Sequence, residues 1–369
     1  MYGPPGFAWA LVYPSTTGVT IDPSASYSTL PSSTPMTATR ASAGVYTITI
    51  PNLGLNVTTP SINNGGNVQV SALGLSPDRC HVQGWNGIGA LAIIVLCHDN
   101  HGSPVDTTFG VFFQRGSGTT TISSPTTGGV GSAYAWIDNP TSAAGVAVVP
   151  SAQYEWNSTG YPISVVHERL GVYDVQVAGL ADLIGGHTMA TAYGAGSQYC
   201  TASTGSPSAD AGYQNVYVYC FDTNANPVDS RFSFRYDDRT TPTILASSPA
   251  MGAYNLAQDP GYAGSETINV TSAFGWDPRA VSPIWPATME SRHVAVGEYI
   301  EDFENYSTVH ALPMVGGNVG LANFGVYCKG AFSAYGTTPL GTGTAVGALC
   351  YRNGVLSDTP FGTLFLAMP

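Results

Sequence analysis

The segment Arg169-Leu-Gly-Val-Tyr-Asp-Val-Gln-Val177 alternates apolar and polar side chains behind a glycine, and Pro227-Val-Asp-Ser-Arg-Phe232 follows it further along. Alternation with a period of two places every second side chain on one face of a β-strand. Gly44-Val-Tyr-Thr-Ile-Thr-Ile50 and Pro104-Val-Asp-Thr-Thr-Phe109 repeat this pattern, and Gly297-Glu-Tyr-Ile-Glu-Asp-Phe-Glu304 begins a more divergent third copy. The sequence therefore predicts an all-β chain made of three copies of one module.

The six cysteines form one pair in each copy: Cys80 with Cys97, Cys200 with Cys220, and Cys328 with Cys350. Both members of a pair lie in or beside adjacent predicted strands, which favours one disulfide within each module. Closing loops of this length stabilises a fold by roughly 3 kcal/mol in the chain-entropy model. Metal ligation is the weaker alternative, because the chain lacks a Cys-x-x-Cys pair.

The first copy contains about seven short alternating segments, which is typical of an antiparallel β-sandwich of immunoglobulin-like or jelly-roll type. These predicted strands cover 8–13, 36–41, 45–51, 67–73, 80–85, 90–98 and 107–114. Stretches rich in Ser, Thr, Pro and Gly separate the copies, as linkers do. We expect module 1 at 1–115, a linker at 116–131, module 2 at 132–238, a linker at 239–251 and a diverged module 3 at 252–369.

Charge is scarce throughout the chain, at 9% of residues against roughly 25% in an ordinary soluble domain. The 11 basic and 23 acidic side chains give a net charge of −12. Nucleic acids and anionic membranes are recognised through clustered Lys and Arg, so the composition argues against both as partners. The apolar fraction of 43% argues against disorder, and no apolar run reaches the ~20 residues of a membrane span.

The chain begins Met1-Tyr-Gly-Pro-Pro5, without the basic and apolar regions of a secretory signal. We interpret this start as that of a mature secreted protein whose signal has been removed. The scarcity of lysine and the Ser/Thr/Asn-rich surface agree with that interpretation. The repeats resemble tandem secreted bacterial β-sandwich modules in general, a likeness of class that transfers no functional residues.

His98 and His101 lie beside the second cysteine of the first pair, and His81 follows the first. Two histidines with a carboxylate are ligands that a transition metal accepts. The other interpretation is a hairpin turn, because Asp99 and Asn100 are turn-forming residues and the second copy has a similar run. The turn is the favoured interpretation.

The third copy carries an acidic run that the others lack, with Glu298, Asp302 and Glu304 on one face of the predicted strand. Paired carboxylates serve glycoside hydrolysis or bind calcium. A solvated acidic sheet edge is the third and favoured interpretation. Calcium at this run is the only cofactor that the sequence suggests.

One Asp and one Arg recur in all three copies, Asp106, Asp229 and Asp358 with Arg40, Arg169 and Arg292. A catalytic site is needed once per chain, whereas a structural device is needed once per module. We therefore predict that each Asp accepts hydrogen bonds beside the Gly-x-Tyr strand and that each Arg is its ion partner.

Aromatic side chains among Asn, Gln and Ser are the candidate ligand contacts, because they offer flat faces to sugar rings. The candidates are Tyr154, Trp156, Tyr161, Trp276 and Trp285. The chain has no Gly-x-Ser-x-Gly motif, and its cysteines are expected to be oxidised. The leading hypothesis is a secreted or cell-surface protein that binds a glycan or matrix polymer. The alternatives are a polysaccharide-active hydrolase or lyase, with its site in module 3 or between modules, and a self-associating filament subunit.

Overall fold

The computed structural model of the chain describes most of its length in sixteen stretches. Within them every regular element is a β-strand, which confirms the predicted all-β class. The described residues are 6–30, 32–54, 65–116, 131–180, 186–203, 206–207, 212–238, 251–257, 265–268, 271–272, 275–276, 289–304, 306, 311–317, 324–338 and 341–367.

Segment 1 (residues 6–116) contains the seven strands predicted from its sequence and one more, β2, where Pro23 and neighbouring serines hide the alternation. The strands pair in a sheet I with order β2-β1-β8-β5 and a sheet II with order β3-β4-β7-β6. Strand β6 also pairs with strand His187–Tyr193 of segment 2, so sheet II is one half of an eight-stranded sheet that spans both segments. They are β1 (Gly6–Ser15), β2 (Gly18–Ser28), β3 (Thr37–Ser42), β4 (Val45–Pro51), β5 (Asn67–Ala72), β6 (Arg79–Asn86), β7 (Ala90–His98) and β8 (Phe109–Arg115).

Segment 2 (residues 131–238) repeats this order, with β11-β9-β18-β14 as sheet I and β10-β12-β13-β17-β15 as sheet II, where β16 also pairs with β17. Its strands are β9 (Gly131–Ile137), β10 (Ala147–Val148), β11 (Glu155–Asn157), β12 (Ile163–Arg169), β13 (Val172–Ala178), β14 (His187–Tyr193), β15 (Tyr199–Ala202), β16 (Ser206–Pro207), β17 (Tyr213–Phe221) and β18 (Arg231–Asp238).

Segment 3 (residues 251–367) has β21-β22-β19-β29-β25 as sheet I and β20-β23-β24-β27-β26 as sheet II, with β28 on β27. The expected linkers 116–131 and 239–251 fall almost wholly outside the described residues. The strands are β19 (Met251–Ala257), β20 (Ser265–Ile268), β21 (Thr271–Ser272), β22 (Gly275–Trp276), β23 (Met289–Ala295), β24 (Glu298–Glu304), β25 (Ala311–Gly317), β26 (Val326–Thr338), β27 (Gly341–Arg352), β28 (Val355–Leu356) and β29 (Phe361–Ala367).

An aromatic pair joins the two sheets in each segment, because the tyrosine of the Gly-x-Tyr strand meets the phenylalanine after the repeated Asp. The ring centroids lie 5.2, 5.0 and 4.7 Å apart in segments 1, 2 and 3. All six rings are buried, and burying each apolar side chain of this size stabilises the fold by roughly 1.5–3 kcal/mol. The pairs are Tyr46 with Phe109, Tyr173 with Phe232, and Tyr299 with Phe361.

The three predicted disulfides are present, each between residues directly opposite one another on neighbouring strands of sheet II. Cys80 faces Cys97 across β6 and β7, and the other two pairs occupy the same place. Disulfides of this kind persist in oxidising compartments.

The recurring pairing defines equivalent positions: Val12, Ile137 and Ala257 are equivalent because they pair with Phe109, Phe232 and Phe361. By this rule Leu73 is equivalent to Tyr193. Gly330 is equivalent to Val82, because each of them lies two residues after the first cysteine of its segment.

The three segments close into a ring. Leu73 of segment 1 forms a parallel bridge to Gly330 of segment 3, and Tyr193 of segment 2 forms the equivalent bridge to Val82 of segment 1. Between segments 3 and 2, Thr201 Oγ1 donates to the carbonyl of Gly317 at 2.6 Å. The outer faces of the sheets I share one apolar cluster, which includes Trp9, Met189 and Tyr254 from segments 1, 2 and 3. Each segment therefore contacts both of the others around a common axis.

Candidate functional site

Four aromatic rings fill the junction between segments 1 and 2. Trp85 lies 6.2 Å from Trp136, 5.7 Å from Tyr154 and 5.5 Å from Tyr193, centroid to centroid. Trp136 lies 5.0 Å from each of the two tyrosines. The indole of Trp85 also donates to the carbonyl of Gly65 at 2.7 Å. This junction is therefore packed solid around aromatic rings.

The junction between segments 3 and 1 has smaller, non-aromatic residues at all four equivalent positions. Strand pairing makes Leu11 equivalent to Trp136, and Leu73 to Tyr193. Ala25 is equivalent to Tyr154, because Ala10 and Ala135 are equivalent and each of the two residues directly precedes the strand partner of one of them. Ser333 is equivalent to Trp85, because their strand partners, Val346 and Ile93, each lie four residues before the second cysteine of their segment. The equivalents of Trp136, Tyr154, Tyr193 and Trp85 are thus Leu11, Ala25, Leu73 and Ser333.

An open groove of about 280 Å³ lies where those four rings are missing, and all four replacing residues line it. We call this space the 1/3 groove. Its floor is apolar, because Leu11, Ala25 and Leu73 are buried. Its volume approaches the lower end of the ~300–1,000 Å³ typical of small-molecule sites.

Two exposed aromatic side chains flank the 1/3 groove, Tyr13 from β1 and Phe332 from β26, each 43% exposed. Phe332 follows a β-bulge in a hairpin whose strands β26 and β27 span 13 and 12 residues, whereas the equivalent β6 and β7 span 8 and 9. Its ring packs directly over Gly347 on β27, where a Cβ would collide with it. The hairpin of segment 3 is therefore longer than that of segment 1, and the bulge that both hairpins have places Phe332 where segment 1 has Gly84.

Polar groups edge the 1/3 groove at Asp22, Thr108 and Ser333. Asp22 Oδ1 accepts a hydrogen bond from the amide of Ser24 at 2.9 Å, which orients its carboxylate. Burial, and then the charge of Asp22, raises the pKa of Tyr13, so its hydroxyl stays a hydrogen-bond donor. The groove combines an apolar floor with both donors and acceptors at its edge.

The aromatic residues predicted from the sequence lie mostly elsewhere. Tyr154 belongs to the four-ring junction, and Trp156 is buried against Tyr134, so the expectation that they offer free faces was wrong. Tyr161 is exposed in segment 2 and does not line the 1/3 groove. Trp276 lies in β22, its side chain outside the described part, and Trp285 falls outside the described residues altogether.

The histidines of segment 1 do not assemble a metal site. His81 and His98 are buried with stacked rings 5.2 Å apart, whereas His101 is exposed on the turn. Asp99 Oδ1 accepts from the amides of His101 and Ser103 at 2.9 and 2.8 Å, the geometry of a turn. Across the described residues, no three His, Cys, Asp or Glu side chains are grouped to hold a metal. The turn interpretation is confirmed.

The acidic run of segment 3 lies on β24, which pairs with β23 and β27, so the expectation of a sheet edge was wrong. Asp302 is buried in an ion pair of 2.7 Å with Arg292 Nε, while Glu298 and Glu304 stand half-buried at the ends of the strand. None of the three lines the 1/3 groove. Calcium binding and a catalytic role at this run stay predictions.

The repeated Asp is the structural acceptor predicted from the sequence. Asp106, Asp229 and Asp358 each accept from the amide of the repeated glycine and from the hydroxyl of the repeated tyrosine. The predicted ion partner is correct only in segment 1, where Arg40 Nη2 lies 2.7 Å from Asp106. His167 and His293 take the equivalent place at 3.1 Å from Asp229 and Asp358, and the predicted Arg169 and Arg292 do not.

In the described part of the chain, no helix is long and apolar enough to cross a bilayer. The chain matches no protein family, no curated protein and no solved structure.

Proposed function

We propose that the chain is a secreted or cell-surface glycan-binding protein, and that a sugar ring of an extracellular polysaccharide lies in the 1/3 groove. The observation that carries this proposal is the comparison of equivalent junctions. Four aromatic rings occupy the junction of segments 1 and 2. At the equivalent junction of segments 3 and 1, the corresponding space is open and is lined by Leu11, Ala25, Leu73 and Ser333.

A pyranose is the ring that suits this groove best. It has apolar C–H faces, for which Tyr13 and Phe332 provide flat partners, and hydroxyl groups at its edge. Asp22, Thr108 and Ser333 supply acceptors and donors at the edge of the groove. A few placed polar groups around an apolar pocket are what orient a small ligand.

The scaffold we infer is a ring of three copies of one two-sheet β-sandwich. Supporting this inference, the buried cluster of segment 1 draws on both of its sheets, from Val12 on β1 to Ile48 on β4, and that of segment 2 does the same. The disulfides, together with the scarcity of charge, support secretion. A ring closed by two backbone bridges and by the hydrogen bond from Thr201 to Gly317 would hold the groove rigid.

The test is retention of the purified chain on insoluble plant, algal and microbial polysaccharides, followed by titration with oligosaccharides of the one retained. Y13A and F332A remove the flanking rings, and we expect each to lower affinity about two- to tenfold, because a stacked ring contributes roughly 0.5–1.5 kcal/mol beyond its burial. Y161A is the matched control, since Tyr161 is an exposed tyrosine away from the groove.

A second pair of variants fills the groove with the residues of the equivalent junction. L11W with S333W restores two of the missing rings, and we expect it to abolish binding while the melting temperature is kept. Binding unchanged in this double variant would contradict the proposal. Binding lost equally in Y161A would move the site away from the groove.

A further inference from the structure

A second cavity, of about 70 Å³, lies where the three segments meet and shares no lining residue with the 1/3 groove. We call it the axial cavity. The residues before, at and after the first cysteine of each segment line it. Those after the cysteine are His81, Thr201 and Lys329, at equivalent positions. A water needs roughly 10–15 Å³ of such space, so the cavity has room for a few waters or one small ion.

Two buried cations line this cavity. Lys329 is 2% exposed, and its Nζ donates to the carbonyl oxygens of Ser76 at 2.7 Å and Asp78 at 3.4 Å. Arg79 is 8% exposed, and its guanidinium lies 4.4 and 5.1 Å from the ring centroids of Tyr199 and Tyr327. Both positive charges are thus buried beside the same cavity.

The described residues compensate these charges only in part. Neither cation forms an ion pair among them. Asp78 also lines the cavity, and its Oδ2 accepts a hydrogen bond from Ser76 Oγ. Arg79 Nη2 donates to the carbonyl oxygens of Asp99 and Asn100 at 3.4 and 3.3 Å, whereas Arg79 Nε is buried with no hydrogen-bond acceptor in the described part. The lining therefore has two cations and one carboxylate, a formal excess of one positive charge, and one buried donor that is not satisfied.

His81 adds no charge of its own to this balance. Burial, and then the nearby His98, lowers its pKa to about 3. Burial also lowers the pKa of Lys329 to about 8, against the attraction of Asp78, so the ammonium remains mostly charged at pH 7. At neutral pH the cavity is therefore lined by two buried, positively charged hydrogen-bond donors, the Lys329 ammonium and the Arg79 guanidinium.

We propose that the axial cavity binds a small inorganic anion, held by Arg79 and Lys329 at the point where the three segments meet. An anion there would neutralise the excess charge and accept the hydrogen bond that Arg79 Nε lacks. Because all three segments contribute to the lining, its binding would stabilise the closed ring.

Thermal melting of the full chain tests this proposal, with chloride, bromide, nitrate and sulfate titrated at constant ionic strength against a bulky organic anion. We expect a saturable rise in melting temperature for at least one small anion. The matched variants take the equivalent residues of other segments: R79Y has the tyrosine of segments 2 and 3, and K329T the threonine of segment 2. Both should lose the rise, whereas R169M, which removes an exposed arginine, should retain it.

No saturable rise in the wild-type chain, or an equal rise in R79Y and K329T, would overturn the proposal. Should both variants fail to fold, diffraction from wild-type crystals grown in bromide decides the matter. An anomalous peak in the axial cavity supports the site, and bromide found only on the surface refutes it.

Discussion

Arg235 and Asp237 form a fully buried ion pair on the outer face of sheet I in segment 2, with Nη2 and Oδ2 2.6 Å apart. The guanidinium also lies 4.6 Å from the ring centroid of Phe112 in segment 1. The equivalent positions of segment 3 are Leu364 and Leu366, so an apolar pair serves the same place elsewhere in the ring. Replacing the ion pair by leucines therefore tests what holds the segments together.

The two single variants and the double variant should behave very differently. D237L leaves a guanidinium buried and unpaired, and we expect it to lower the free energy of unfolding by about 3–5 kcal/mol. R235L/D237L removes both charges and leaves residues that segment 3 already uses. The double variant should be neutral or more stable than the wild type by about 1–4 kcal/mol.

Dependence on pH separates the two single variants. Burial raises the pKa of Asp237, and loss of the Arg235 attraction in R235L raises it further above its unfolded value of about 4. A carboxyl whose folded pKa is raised binds its proton in the folded state, so the deficit of R235L should shrink as the pH falls from 8 to 5. The deficit of D237L should not shrink, because its guanidinium does not titrate there and the raised pKa of Asp237 stabilises at low pH only the proteins that keep this carboxyl. Burial lowers the pKa of the nearby His187 to about 3, so His187 stays neutral throughout.

Urea unfolding at pH 5, 6, 7 and 8 measures these differences. R231L is the control, since Arg231 is an exposed arginine of the same strand, and its effect should stay within about 0.5 kcal/mol. The reasoning is refuted if D237L costs less than about 1 kcal/mol. A double variant as unstable as D237L would refute it equally.

Three further predictions follow from the packing and the electrostatics of the described residues. D106N should cost about 2 kcal/mol in urea unfolding, because Asp106 loses its charge-assisted hydrogen bonds. Its arginine partner holds the pKa of Asp106 well below the usual range, so the wild-type advantage should hold above about pH 4 and be lost below it. W85S, which copies the equivalent residue of segment 3, should open a cavity and cost about 3–5 kcal/mol in the same assay. G347A should displace the ring of Phe332 and weaken glycan titration at an unchanged melting temperature, whereas G336A on the same hairpin meets no neighbouring atom and should bind normally.

The sequence was sufficient to predict seven of the eight strands of segment 1 and the three disulfides, because both depend on local alternation and on regular spacing. It failed where the copies were aligned by residue type instead of by position. Arg40, His167 and His293 all pair with the repeated tyrosine, and the same β-bulge follows each of them, so His167 and His293, rather than Arg169 and Arg292, face the repeated Asp. Trp9 and Trp136 also lie about one repeat apart, yet strand pairing makes Tyr134 the equivalent of Trp9.

The 1/3 groove could not be predicted from the sequence, because it depends on how the segments close into a ring. Tyr13 and Phe332 belong to the first and the third segment, and contacts between these segments, such as the bridge from Leu73 to Gly330, bring them together. Of the aromatic candidates chosen from the sequence, Tyr154 lies in the packed junction of segments 1 and 2, whereas Trp156 is buried against Tyr134. Aromatic composition therefore did not point to the open groove.

The most direct test of the glycan-binding proposal is a crystal structure of the chain soaked with an oligosaccharide from the polymer that retains it. We predict density for a pyranose above Leu11 and Ala25, between the side chains of Tyr13 and Phe332. Density for the sugar at any other surface, with the 1/3 groove filled only by water, would contradict the proposal.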